Sequence, residues 1–108
     1  MENYTRVNVI NNYGAPIYVG SKMSETINMI NPEISDVYTL KDSDRLVAKS
    51  ALRAQLYELE IDLRDYNFVE VEAYDNLGEL DFRITDEVPR GEVAVMSGGG
   101  GSRYELFY

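Results

Sequence analysis

The sequence predicts an all-β fold: a single-domain antiparallel β-sandwich of roughly eight to ten short strands. Three observations point there. Apolar residues recur at every second position in most of the apolar runs, the period of a strand with one buried face. Clusters of Gly, Pro, Asn and Asp separate those runs at short intervals. The 108 residues are 44% hydrophobic, enough for one core without disulfide staples.

The elements follow in order. Residues 4–12, YTRVNVINN, alternate, with Thr5, Val7 and Val9 on one face and Arg6 and Asn8 on the other. NYGAP interrupts and IYVGS (17–21) resumes, so the pattern predicts a hairpin. TINMI (26–30) and DVYTL (36–40) are further strand candidates, separated by Pro32. Residues 43–63 carry two periods at once. Ser43 is a suitable N-cap, and Leu52, Leu56, Leu59 and Leu63 recur at helical spacing. YELEIDLR (57–64), however, alternates throughout, so a strand is expected over 56–63. The stretch 44–55 stays open between strand and one short helix.

FVEVEAYDNLGELDFRIT reads as two strands around DNLG. Val69, Val71 and Ala73 alternate with Glu70, Glu72 and Tyr74; Leu80, Phe82 and Ile84 alternate with Glu79, Asp81, Arg83 and Thr85. Asp75 suits the first position of a type I turn and Gly78 the left-handed residue after it. EVAVM (92–96) is another strand. The glycines of SGGGGS then form a loop at 97–102 leading to a C-terminal strand over 103–108, with Tyr104, Leu106 and Tyr108 on one face. The whole chain, 1–108, reads as one domain.

Composition narrows the chemistry. There is no Cys and no His, which removes disulfides, thiolate metal sites, the commonest metal ligand and the commonest general base. No signal-peptide pattern opens the chain and no apolar run is long enough to span a bilayer, so a cytoplasmic protein of a host cell or a virion is expected. The net charge of −9 lies entirely in the second half, where residues 57–108 hold thirteen of the nineteen acids and four of the ten bases. Such a chain is repelled by nucleic acid and anionic membranes and attracts a basic partner.

Five constellations remain. In a meander, Glu58, Glu60 and Asp62 would lie beside Glu70 and Glu72, and these beside Glu79 and Asp81. This face is either a solvated exterior that discourages edge pairing or a contact surface for a basic protein. DNLGELD offers Asp75, Asn76, Glu79 and Asp81 as oxygen donors, but its spacing does not match a calcium loop, and a plain turn is the simpler reading. Tyr13, Tyr18, Tyr38 and Tyr66 either line a binding surface or cover the rim of the core. The glycine run lacks the Lys-Ser/Thr and helix of a phosphate loop. Paired outward carboxylates are too solvated for acid–base catalysis. No metal, cofactor or catalytic residue is expected.

Two resemblances accompany these residues. VNVINNYGAPIYVGS looks like the first hairpin of small β-sandwich domains such as the aegerolysins and the von Hippel–Lindau β domain. In being small and acidic, the chain resembles proteins that mimic DNA phosphates, including many phage-encoded inhibitors. The expectation is a non-enzymatic protein-binding module, a structural or assembly component of a homo-oligomer or virion-type subunit. Its contacts would run through the C-terminal strand or the acidic face. The alternative is an acidic phage-type inhibitor that occupies a basic, nucleic-acid-binding groove. The partner is a protein in either case, self or basic, with no direct contact to nucleic acid or membrane.

Overall fold

A computed structural model describes residues 3–25, 27–51, 57–59, 62–94 and 104–106. It is an all-β fold of two four-stranded sheets packed face to face, with a two-stranded ribbon besides. The strands are β1 (Tyr4–Asn12), β2 (Ile17–Ser21), β3 (Ile27–Ile30), β4 (Ser35–Lys41), β5 (Leu46–Ser50), β6 (Tyr57–Glu58), β7 (Tyr66–Asn76), β8 (Glu79–Pro89), β9 (Glu92–Ala94) and β10 (Tyr104–Leu106). The first sheet runs β4-β1-β7-β8 and the second β3-β2-β5-β6. Among the described residues every pairing is antiparallel except β1 with β7, which is parallel. Residues 46–50, open between helix and strand from their pattern, form a strand. No helix among the described residues is long and apolar enough to cross a membrane.

Alternation builds the core. Thr5, Val7, Val9 and Asn11 of β1 and Val69, Val71 and Ala73 of β7 point inward from the first sheet. Ile17, Val19, Leu46 and Ala48 meet them from the second, with Ile30, Leu40, Leu59 and Leu63 closing the sides. Each large aliphatic chain buried here contributes about 1.5–3 kcal/mol. Tyr13, Tyr38, Tyr66, Leu80 and Phe82 pack around this cluster, so three of the four tyrosines singled out from the sequence serve as its rim.

The residues 13–16 do not make a hairpin. β1 and β2 belong to opposite sheets, and the turn chemistry of NYGAP serves an arch between them. Asn11 organises this corner. Fully buried, it donates its side-chain amide to the carbonyls of Ala15 and Ile30, both at 2.9 Å, and accepts from the Tyr13 amide at 2.9 Å. Its backbone also pairs with the second arch, β3 to β4, accepting from Glu33 at 2.8 Å and donating to Ile34 at 2.9 Å. One asparagine thus satisfies the backbone of two crossings that would otherwise leave buried polar groups unpaired.

The segment read as one strand over 56–63 divides. β6 ends at Glu58 and a 3₁₀ turn spans Leu63–Asp65, with Asp62 as its N-cap; residues 60 and 61 lie outside the described residues. The chain changes sheets here, from β6 in the second to β7 in the first. Alternation alone is compatible with either sheet, because it specifies the buried side and not the neighbour.

The β7–β8 hairpin is present, with a tighter turn than the type I turn expected from Asp75. The ladder continues to Asn76 and Glu79, leaving a two-residue loop in which both Leu77 and Gly78 have positive φ, 53° and 89°. Positive φ at both positions marks the primed turn that matches strand twist. Asp75 accepts the Gly78 amide at 2.7 Å, so it supports the turn from one residue outside it. Farther along, the register slips by one residue at Thr85, a bulge in β8. The ribbon pairs Tyr104 with Ala94 and Leu106 with Glu92.

Candidate protein-binding surfaces

The acidic residues fall into separate places. Glu70 and Glu72 project from the outer face of β7, and cross-strand pairing puts Asp86, Arg83 and Asp81 of β8 on that same face; Glu79 follows Asp81 at the hairpin end. Glu58 lies on the other sheet, at its β6 edge, paired with Lys22 at 3.1 Å. Asp62 caps the 3₁₀ turn, and its carboxyl is held down at about 2 by hydrogen bonds from the Arg64 side chain and amide. The expected continuous face of seven carboxylates is therefore not formed: Glu58 and Asp62 are not beside Glu70 and Glu72, and Glu60 lies outside the described residues. The break in the chain at β6 is the cause.

The remaining outer-face acids are internally engaged. Glu72 accepts from both Asn12, at 2.7 Å, and Arg83. Those two hydrogen bonds hold its carboxyl below the ordinary glutamate value. Arg83 also stacks 4.4 Å from the Tyr74 ring. Asp81 accepts from Asn76 at 3.1 Å and from Tyr74 at 3.3 Å. Alternating charges and amides stitch β1, β7 and β8 together across the solvent side. The oxygens of DNLGELD are used in the same way, and among the described residues no group of carboxylates converges as a metal site requires.

At one end of the sandwich, Tyr4, Ser21, Met23, Ser24, Thr39, Lys41 and Asp44 line an open groove of about 370 Å³. Asp44 is its buried acid. Burial alone would raise its pKa. The Ser21 hydroxyl, the Met23 and Arg45 amides and the Arg45 charge outweigh burial and hold the carboxyl below its ordinary value. Met23 donates at 3.0 Å and Arg45 at 2.7 Å. These bonds fasten the β2–β3 turn to the β4–β5 connection, so Asp44 is a structural clamp with its acceptors occupied, not a poised base.

The most distinctive surface was not legible in the sequence. Eight large apolar residues are substantially exposed among the described residues, and five of them, Met23, Ile27, Met29, Ile34 and Val37, fall in one stretch of the chain, each 43–58% exposed. They lie on or beside β3 and β4, the edge strands of their sheets, joined by a short arch; Ile27 and Met29 project from the outer face of the second sheet and Val37 from that of the first. Tyr18, the fourth tyrosine, lies opposite Met29 in the ladder. TINMI and DVYTL carried apolar residues at both parities, the one available signal that their second face is not wholly polar.

The β4 edge also turns backbone groups outward. Asn11 donates to the Ile34 carbonyl at 2.9 Å and Asp42 to the Asn3 carbonyl at 3.1 Å. Hydrogen-bonded and non-bonded pairs alternate along an antiparallel ladder. Asp36, Tyr38 and Leu40 therefore turn their N–H and C=O groups to β1, and Ser35, Val37 and Thr39 turn theirs away from the sheet, where the Val37 N–H donates to the Asp36 carboxylate at 2.9 Å. Other edges carry the usual protection: β8 has the Thr85 bulge and ends at Pro89, β3 has four residues and β6 two. β4 has seven, with no proline and no bulge.

The third expected contact, the C-terminal strand, carries Tyr104 and Leu106 on β10; Tyr108 lies outside the described residues. Compared with protein-family models, curated proteins and solved structures, the chain matches none.

Proposed function

We propose that this protein is a non-catalytic binding module that works by contacting another protein, as a structural or assembly component. The observation that carries this reading is the run of exposed apolar side chains from Met23 to Val37 along two strand edges, one of them long and free of proline and bulge. Exposed apolar residues beside a strand edge suit a protein contact, and the edge adds directional main-chain hydrogen bonds. Met29→Lys and Ile34→Lys test it. Both side chains are solvent-exposed, so the fold survives; association, read by light scattering and by co-purification against wild type, falls at least tenfold. It changes little between about 0.05 and about 1 M salt, because an apolar centre is not screened. Unchanged association in both variants would sink the reading.

The second reading, an acidic inhibitor of a basic groove, is favoured by the outer face of β7 and β8, where Glu70, Glu72, Glu79, Asp81 and Asp86 stand together. It requires the opposite result: binding insensitive to Met29→Lys, lost on Glu70→Lys, and falling steeply over the same salt range.

A further inference from the structure

We infer that the partner seated on the β4 edge is a second copy of this chain, paired antiparallel across a two-fold axis at Val37, so that two four-stranded sheets become one of eight strands. This inference rests on the binding reading above and names its occupant.

The argument is one of register. A two-fold axis requires self-complementary pairing, and the alternation of faces allows only registers that pair residues of equal parity. Centred on Val37, every pair is compatible. Val37 meets Val37 of the second copy, both with backbone groups facing outward, each N–H exchanging its exposed bond to the Asp36 carboxylate for the carbonyl of its twin. Ser35 meets Thr39 on either side, a hydroxyl pair favoured across strands. The ladder ends at those pairs, because β4 begins at Ser35 and Glu33, with φ 68° and its N–H bonded to Asn11, has left the strand. Asp36 falls opposite Tyr38, carboxylate to phenol. The neighbouring registers are worse. Centring on Asp36 sets two carboxylates directly opposite, which is destabilising. Centring on Tyr38 sets Asp36 against Leu40, a carboxylate against an apolar chain.

The test uses the whole chain. Light scattering from low micromolar to about 1 mM reads a mass rising to twice the 12.3 kDa of one chain. Val37→Pro removes an N–H that points away from β1, a place where an edge strand tolerates proline. It keeps the wild-type circular dichroism and stays at the monomer mass. The chain has no cysteine, so single variants report register without background. Hydrogen-bonded antiparallel pairs stand about 5.5 Å apart at Cα, within disulfide reach. V37C alone therefore oxidises to a covalent dimer. S35C and T39C do so at least tenfold more slowly alone, and cross-link when mixed. If V37P fails to fold, the cysteine pattern decides. A monomer mass at every concentration, or cross-linking that does not peak at position 37, overturns the inference. A monomer that binds a different protein through this edge, with loss on V37P, overturns self-pairing and leaves the binding reading standing. A monomer whose edge binds nothing overturns both.

Discussion

The guanidinium of Arg90 lies 3.2 Å from the carboxylate of Asp42, joining the residue that follows β8 to the turn that follows β4. The same guanidinium donates to the carbonyls of Tyr4 and Leu63, both at 3.0 Å, to Arg64 at 3.2 Å, to the Asn67 side chain at 2.9 Å and to the Thr5 hydroxyl at 3.1 Å. The Thr5 hydroxyl lies 2.7 Å from the Leu63 carbonyl and 2.8 Å from that of Tyr66. Six acceptors from four parts of the chain meet one cation, at the point where the path changes sheets.

Arg90→Ala leaves several of those acceptors short of a donor in a part-buried site. The expected loss is about 2–3 kcal/mol, seen as a lower urea midpoint at unchanged slope. Arg90→Lys recovers only part of it, because an ammonium has three donors and no planar fork. A loss below about 0.5 kcal/mol in the alanine variant would show the network to be ornamental.

Asn11→Leu keeps the volume and removes both donor and acceptor. The carbonyls of Ala15 and Ile30 and the Tyr13 amide then lose their partner, at about 1–3 kcal/mol for each group left unsatisfied. Hydrogen exchange separates this from a general weakening: protection falls first at the two arches, 13–16 and 31–34, before it falls in the β7–β8 hairpin.

Leu77 is fully exposed with φ near 53°, a conformation that costs a branched L-residue about 1–2 kcal/mol. Asparagine tolerates it and makes the Asn-Gly pair that primed turns prefer. Leu77→Asn raises stability by about 0.5–1 kcal/mol, measured by thermal and urea unfolding. A decrease would mean that the leucine makes a contact the fold requires.

Asp44 predicts a pH dependence. Its folded pKa lies below the ordinary aspartate value of 3.8, so as pH falls the unfolded chain takes up the proton first. The stabilisation is complete well above 3.8, declines as pH drops past it, and is gone below the folded value. Asp44→Asn lowers stability at pH 7 and makes the decline between about pH 5 and about pH 2 shallower. Parallel curves for the two proteins would remove Asp44 from the acid response.

Much of the secondary structure was legible because it is local. The β1 alternation, the β7–β8 hairpin and its glycine, and the all-β class follow from period and turn chemistry within a dozen residues. The candidate surfaces were legible only in part. Glu70, Glu72, Glu79 and Asp81 share a face because one hairpin holds them. Glu58 and Asp62 were assigned to it on the assumption that successive strands are neighbours, which the sheet change at residues 59–65 breaks.

Period-two alternation, the placement of acids in the second half and the absence of Cys and His belong to the chain alone. They dictate strands, a solvated acidic side and the chemistry that is out of reach. Folding decided which strands touch. β1 lies beside β7, far away in sequence and parallel, while β2, its successor, went to the opposite sheet. That choice also made β4 an edge, and so left Val37 with its backbone facing away from the sheet. The reason is physical: alternation tells a residue which side to bury, and only the long-range hydrogen bonds and packing, such as those made by Asn11 and Arg90, tell a strand which neighbour to take.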